Sequence, residues 1–155
     1  MNFSDPGEVL TGLNNAFPME KHGEMFFTAW CGIYDPSARR MRFAGGGHPP
    51  SILVRADGTT EILAAKGPVI GAMPGMKFAS AEAVIPPGAR LFVFSDGAYE
   101  IVRHDGSMMS HDDLRQLLSR APHENAAVWT MEQLRALNSQ PVFDDDVSLV
   151  ELSFP

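Results

Sequence analysis

The chain has 155 residues, with 12 Lys plus Arg against 19 Asp plus Glu and a formal net charge of −7 at pH 7. That length fits one domain with a sizeable core, and 45% apolar with 20% charged residues is the balance of a soluble globular protein. The acidic balance argues against a nucleic-acid-binding face. The single Cys31 excludes a disulfide framework and a Cys-rich zinc site. No apolar run reaches the roughly 18–20 residues of a membrane span. The N-terminus lacks a basic stretch followed by an apolar one, so no signal peptide is expected and the expected location is cytoplasmic.

In chain order, Ser4-Asp5-Pro6-Gly7-Glu8 reads as a helix start, with Asp5 as cap and Pro6 at the first helical position. Val9, Leu10, Leu13 and Phe17 share one face, and Pro18 ends the helix. Met19 to Glu24 is a polar link. Met25 to Tyr34 is expected to be a central strand, joined by a turn at Asp35-Pro36 to a half-buried strand over Arg40 to Ala44. Gly45 to Pro50 reads as a loop. Ser51–Arg55 and Thr60–Leu63 form a hairpin around Asp57-Gly58. Lys66 to Lys77 is an irregular connection, and Phe78 to Ile85 is a further strand with Ala79, Ala81, Ala83 and Ile85 on one face. A buried strand runs through Leu91-Phe92-Val93-Phe94 into Ser95-Asp96-Gly97. Ser110 and Asp113 set a capping box for a helix burying Leu114, Leu117, Leu118 and Ala121. A second helix, about Glu124 to Leu137, is expected to bury Ala127, Val128, Met131 and Leu134. Asn138 to Phe143 is a loop, and Asp144-Asp145-Asp146 leads into a last strand over Val147 to Leu152. Strands and helices are segregated, which gives an α+β class in a single domain with no internal linker.

The chemistry concentrates in two acidic stretches. Asp96 ends one strand, and Asp144-Asp145-Asp146 opens another. If those strands neighbour one another antiparallel, the carboxylates converge at one sheet edge, and oxygen-only donors suit Mg²⁺ or Mn²⁺. An ordinary Asp-Gly turn and a solvated acidic loop are the plain alternatives. His48, in Gly45-Gly46-Gly47-His48-Pro49-Pro50, suits a general acid, an outer partner of a metal ligand, or a group that fixes the loop, the last being favoured. The loop lacks the Gly-Lys-Ser/Thr of a P-loop. His104, His111 and His123 lack metal-ligand spacing and read as surface residues. Ser95 lacks a Gly-x-Ser-x-Gly elbow, which argues against a serine hydrolase.

An ordered series of motifs carries a resemblance. It comprises Met25-Phe26-Phe27-Thr28-Ala29, Asp35-Pro36, Phe43-Ala44-Gly45-Gly46-Gly47-His48-Pro49-Pro50, Gly67-Pro68 with Gly71, Pro87-Gly88-Ala89-Arg90-Leu91, Ser95-Asp96-Gly97-Ala98-Tyr99-Glu100 and Asp145-Asp146-Val147-Ser148-Leu149. From about Met25 onward this resembles the bacterial PPM-type, protein phosphatase 2C-like serine/threonine phosphatases of the stage II sporulation protein E-like group. The resemblance implies an antiparallel β-sandwich flanked by helices, with a two-metal Mn²⁺ or Mg²⁺ site at one end. It implies hydrolysis of phosphoserine or phosphothreonine in a phosphorylated regulatory protein of the anti-sigma-factor-antagonist type. It assigns Asp96 and Asp145 as metal ligands, the run Asp144-Asp145-Asp146 leaving the register open by one residue. It gives His48 a structural role.

The chain departs from the pattern at Gly45, where asparagine is usual, and at Tyr99 and Ser148, where threonine is common. Nothing before Met25 matches the family's Gly-Asp strand end or its Asp-x-Ser-Gly-His-Gly segment. The expectation is therefore the C-terminal two-thirds of such a domain, lacking the N-terminal metal-binding segment. Alone, it is expected to be a weak or inactive phosphatase, with a non-catalytic partner-binding module in bacterial signalling as the alternative. An uncovered sheet edge is expected to favour a homodimer.

Overall fold

The computed structural model describes residues 2–155. The elements run α1 (Pro6–Ala16), β1 (Ala29–Asp35), β2 (Arg40–Gly46), β3 (Ser51–Val54), β4 (Thr60–Leu63), β5 (Ala81–Val84), β6 (Arg90–Phe94), α2 (His111–Ser119), α3 (Ala126–Leu137) and β7 (Leu149–Ser153), with short 3₁₀ turns at Met19–Lys21 and Asp96–Ala98. This mixture of helices and antiparallel sheets is the α+β class. The chain divides into two compact units, one of residues up to Pro50 with Leu63–Pro86, the other of Ser51–Ile62 with Pro87–Pro155. Among the described residues no helix is long and apolar enough to cross a membrane.

In the first unit, Asp5 caps α1 by accepting from the Glu8 N–H at 3.1 Å, with Pro6 at the helix start. The sheet order is β1-β2-β5. β1 and β2 form the expected antiparallel hairpin, Asp35 opposite Arg40, and Asp35 Oδ1 closes its turn by accepting from the Ser37 and Ala38 N–H groups. Met41 and Phe43 are buried as the alternation requires. Leu10, Ala44, Ile70 and Phe78 form the core, with Leu13 and Cys31 packed against it. Buried Asn14 ties the irregular connection to α1: its Oδ1 accepts from the Gly71 N–H and its Nδ2 donates to Met73 O, both at 2.9 Å.

Several expectations for this unit need correction. The strand expected from Met25 starts at Ala29 and lies at the edge of its sheet. Met25, Phe26 and Phe27 are exposed, so apolarity there does not mark a strand interior. β2 runs on through Gly45 and Gly46, where a loop was expected. A Cβ on Gly45 would lie 2.6 Å from Ala65 O, so close backbone approach, not turning, explains that glycine. β5 starts at Ala81, leaving Ala79 exposed.

The second unit holds a sheet of order β4-β3-β6-β7. β6 is central, antiparallel to β3 (Ile52 opposite Phe92) and to β7 (Phe94 opposite Leu149). Its core joins Ile52, Val54, Phe92 and Phe94 to Leu114, Leu118, Ala126 and Leu134 of the helices. The capping box at Ser110 and Asp113 forms as expected. α3 buries Ala126, Thr130 and Leu134, while Val128 is 60% exposed. The apolar run of α3 is compatible with either face, and the buried face includes a threonine that the apolar pattern passed over. Arg90, 5% exposed, donates from β6 to the carbonyls of Ala121 (3.0 Å) and Pro122 (2.5 Å), which fixes the α2–α3 link against the sheet.

Candidate functional site

Asp96 stands where β6 ends. The strand is rigid because its residues, Val93 apart, are buried, and the chain then tightens into the 3₁₀ turn Asp96–Ala98. The Asp96 carboxylate is exposed to solvent, and Oδ1 accepts from the Gly97 N–H at 3.1 Å. The Asp144–Asp146 run lies just before β7, also exposed, with Asp145 Oδ1 accepting from the Asp146 N–H at 2.7 Å. Because β6 and β7 are antiparallel neighbours, the end of one and the approach to the other meet.

Ser95 makes that meeting specific. Its N–H donates to Ser148 O at 3.0 Å. Its Oγ donates to Asp146 O at 2.9 Å and accepts from the Ser148 N–H at 2.9 Å. The acidic loop is thus held to the end of β6 by three hydrogen bonds on one residue. Gly97 completes the contact: an added Cβ would lie 2.7 Å from Asp146 O, closer than side-chain carbon tolerates. Glycine is needed here for space, not for a left-handed backbone. The sequence dismissed Ser95 as a nucleophile and gave no signal for its clasp, because the partner lies far along the chain.

Beside this pair, Tyr99 packs edge-on against Phe94 and His111. Burial, then the charges of Asp96 and Glu100, push its phenol pKa up. His111 is therefore a half-buried packing residue and not a surface one. His104 and His123 are exposed as expected. In the other unit, His48 Nδ1 donates to Pro49 O at 2.9 Å, the local bond of the loop-fixing alternative.

The donor chemistry of Asp96 and Asp145 fits a hard divalent cation, since both carboxylates are exposed and the neighbouring residues Ser95 and Asp146 are clasped together. Among the described residues no group of three or more His, Cys, Asp or Glu gathers to hold a metal ion. The pair is consistent with part of a cation site and does not supply a two-cation set.

The comparisons give the class of fold. The SiaA PP2C domain of Pseudomonas aeruginosa matches with a TM-score of 0.83 at 18% identity, over 98% of this chain and 62% of that one. The phosphatase domain of the cell-fate determinant SpoIIE from Bacillus subtilis, presoaked with Mn, matches with a TM-score of 0.64 at 19% identity, over 82% of this chain and 56% of that one. The fold is that of PP2C-type phosphatase domains. The family model for Stage II sporulation protein E (SpoIIE) matches residues 2–155, and the chain belongs to that family. Protein IcfG of Synechocystis sp. is 31% identical over 87 residues, 55% of this chain and 14% of IcfG. The chain spans less than two-thirds of each of these three relatives.

Proposed function

We propose that the chain acts within a metal-dependent protein-serine/threonine phosphatase whose substrate is a phosphorylated regulatory protein of the anti-sigma-factor-antagonist type, and that it has little activity by itself. The observation that supports this is the convergence of Asp96 with the Asp145 loop through Ser95 and Gly97, in a member of the SpoIIE family. Asp96 and Asp145 would hold Mn²⁺ or Mg²⁺. When bound, such a cation supplies charge neutralisation at phosphoryl oxygens and lowers the pKa of a water. The chain's own part is to carry two carboxylates just beyond the adjoining ends of two paired strands, so that less reorganisation is left to binding. His48 serves its loop.

The thin carboxylate set favours a second reading, a phosphatase-like module that binds a partner without turnover. Calorimetric titration with Mn²⁺ tests the assignment: Asp96→Asn is expected to lower affinity at least tenfold, and unchanged affinity would remove Asp96 from the site. Hydrolysis of a generic aryl phosphate by the isolated chain is expected to be slow at saturating Mn²⁺. Robust Mn²⁺-dependent turnover would overturn both the low-activity proposal and the non-catalytic reading. Homodimerisation through the free edge of β1 belongs to the same proposal and is taken up at the scale of the whole molecule.

A further inference from the structure

A groove of about 470 Å³ lies between the C-terminal half of α3 and the chain that follows it, with Met131, Arg135, Val142, Phe143, Asp145 and Val147 among its lining residues. That volume is within the range of ligand-binding clefts. It is built, not loose. Asn138, 8% exposed, donates from Nδ2 to Val142 O at 2.9 Å, and the Ser139 N–H donates to Val102 O at 2.8 Å. Met131, Phe143 and Val147 pack against the core of their unit.

Three features decide its occupant. First, Asp145 and Asp146 line both this groove and the acidic site, so a polypeptide engaged at the site has its neighbouring residues within reach of the groove. Second, half of its lining is apolar, Met131, Val142, Phe143 and Val147 among it, and Val142 is left 72% exposed. Third, Arg135 sits in the last turn of α3, exposed, with no ion-pair partner among the described residues, in a chain of net charge −7. Once Asp145 serves a cation, Arg135 is the one positive charge on the lining, beside Asp146, and a guanidinium recognises carboxylates by a planar pair of donors.

Resting on the phosphatase reading above, we propose that this groove is the specificity subsite for the segment flanking the phosphoresidue of a protein substrate. That segment carries an apolar side chain for the Val142–Phe143 wall and an acidic side chain for Arg135. A basic flank is disfavoured, because it meets Arg135 and competes with the cation for the aspartates.

The test uses the full chain with Mn²⁺ and fluorescein-labelled phosphoserine peptides of equal length, flanked by Glu-Leu, Ala-Ala or Lys-Leu, each beside its unphosphorylated twin. Fluorescence anisotropy is expected to show Glu-Leu binding about fivefold tighter than Lys-Leu, the size of one partly exposed ion pair. Arg135→Glu is expected to reverse that order, Arg135→Lys to keep its sign, and Val142→Asp to weaken the Glu-Leu peptide. Phosphate-dependent binding with no flank preference, with a Lys-Leu preference, or with a preference unmoved by Arg135→Glu overturns the subsite and leaves the phosphatase reading standing. Binding indifferent to the phosphate overturns both.

Discussion

Ser95 ties the acidic loop through N–H, Oγ as donor and Oγ as acceptor, while its carbonyl accepts from the Ala98 N–H at 3.1 Å. Ser95→Ala keeps the backbone bond and loses both side-chain bonds. It is expected to cost about 1–2 kcal/mol in urea unfolding and to weaken Mn²⁺ binding, whereas Ser95→Thr keeps the hydroxyl and is expected to restore both. Equal metal affinity in Ser95→Ala and the parent chain would separate the clasp from the site. At this scale the acidic residues were legible because strand ends and Asp-Gly are local patterns. The need for Gly97 was not, because the atom that crowds it, Asp146 O, comes from another part of the chain. The structure gives Asp145 and Asp146 different local roles: Asp145 presents a carboxylate oxygen to the next N–H, and Asp146 lends its carbonyl to Ser95.

The elements owe much to short polar contacts at their ends. Asp5 caps α1, Asp113 closes the box on α2, Asp57 and Asp105 pin the hairpin-like turns, and Asp112 bonds Arg115. In each of the five, a side-chain hydrogen bond is the largest influence and holds the carboxyl below its ordinary pKa of 3.8. The folded state therefore binds these protons less readily than the unfolded chain. The stabilisation is present above the ordinary value and is lost as pH falls through it toward the lowered values. Thermal midpoints are expected to drop steadily below about pH 4, and Asp113→Asn to make that slope shallower. α3 offers a contrasting case. Thr130 is fully buried and its hydroxyl has no hydrogen-bond partner among the described residues, so Thr130→Val is expected to raise the unfolding free energy by roughly 1 kcal/mol, read as a higher urea midpoint. A lower midpoint would mean that the hydroxyl is satisfied. The caps were legible because their motifs span three residues. The buried face of α3 was not, because its apolar run leaves the choice of face to tertiary packing.

For the molecule as a whole, the order of motifs carried the family even where single strand boundaries were misplaced. Apolarity showed that Met25 to Tyr34 belongs with a sheet, and it could not show which neighbours that sheet provides. β1 has β2 as its one neighbour in the sheet order, and it carries no charge before Asp35. Met25 and Phe26, 68% and 58% exposed, precede it. Uncharged edges of this kind pair with other chains. Light scattering of the isolated chain is expected to give a dimer or larger species, shifting toward monomer in Ile33→Lys. A clean monomer at high concentration would count against pairing through this edge.

The Ser95–Ser148 pairing also makes the acidic site a continuation of the β6–β7 ladder. Its order can then be followed without substrate, metal or turnover, from the amide protons of Ser95 and Ser148. These two protons are expected to exchange with deuterium on the timescale of the strand interior, not that of an exposed loop. Chain length, more than residue identity, sets which aspartate's carbonyl meets Ser95. Deleting one residue between Asp146 and Ser148 would bring a different member of the run to that position, while exchanging Asp144 for another residue would leave the count from Ser148 unchanged.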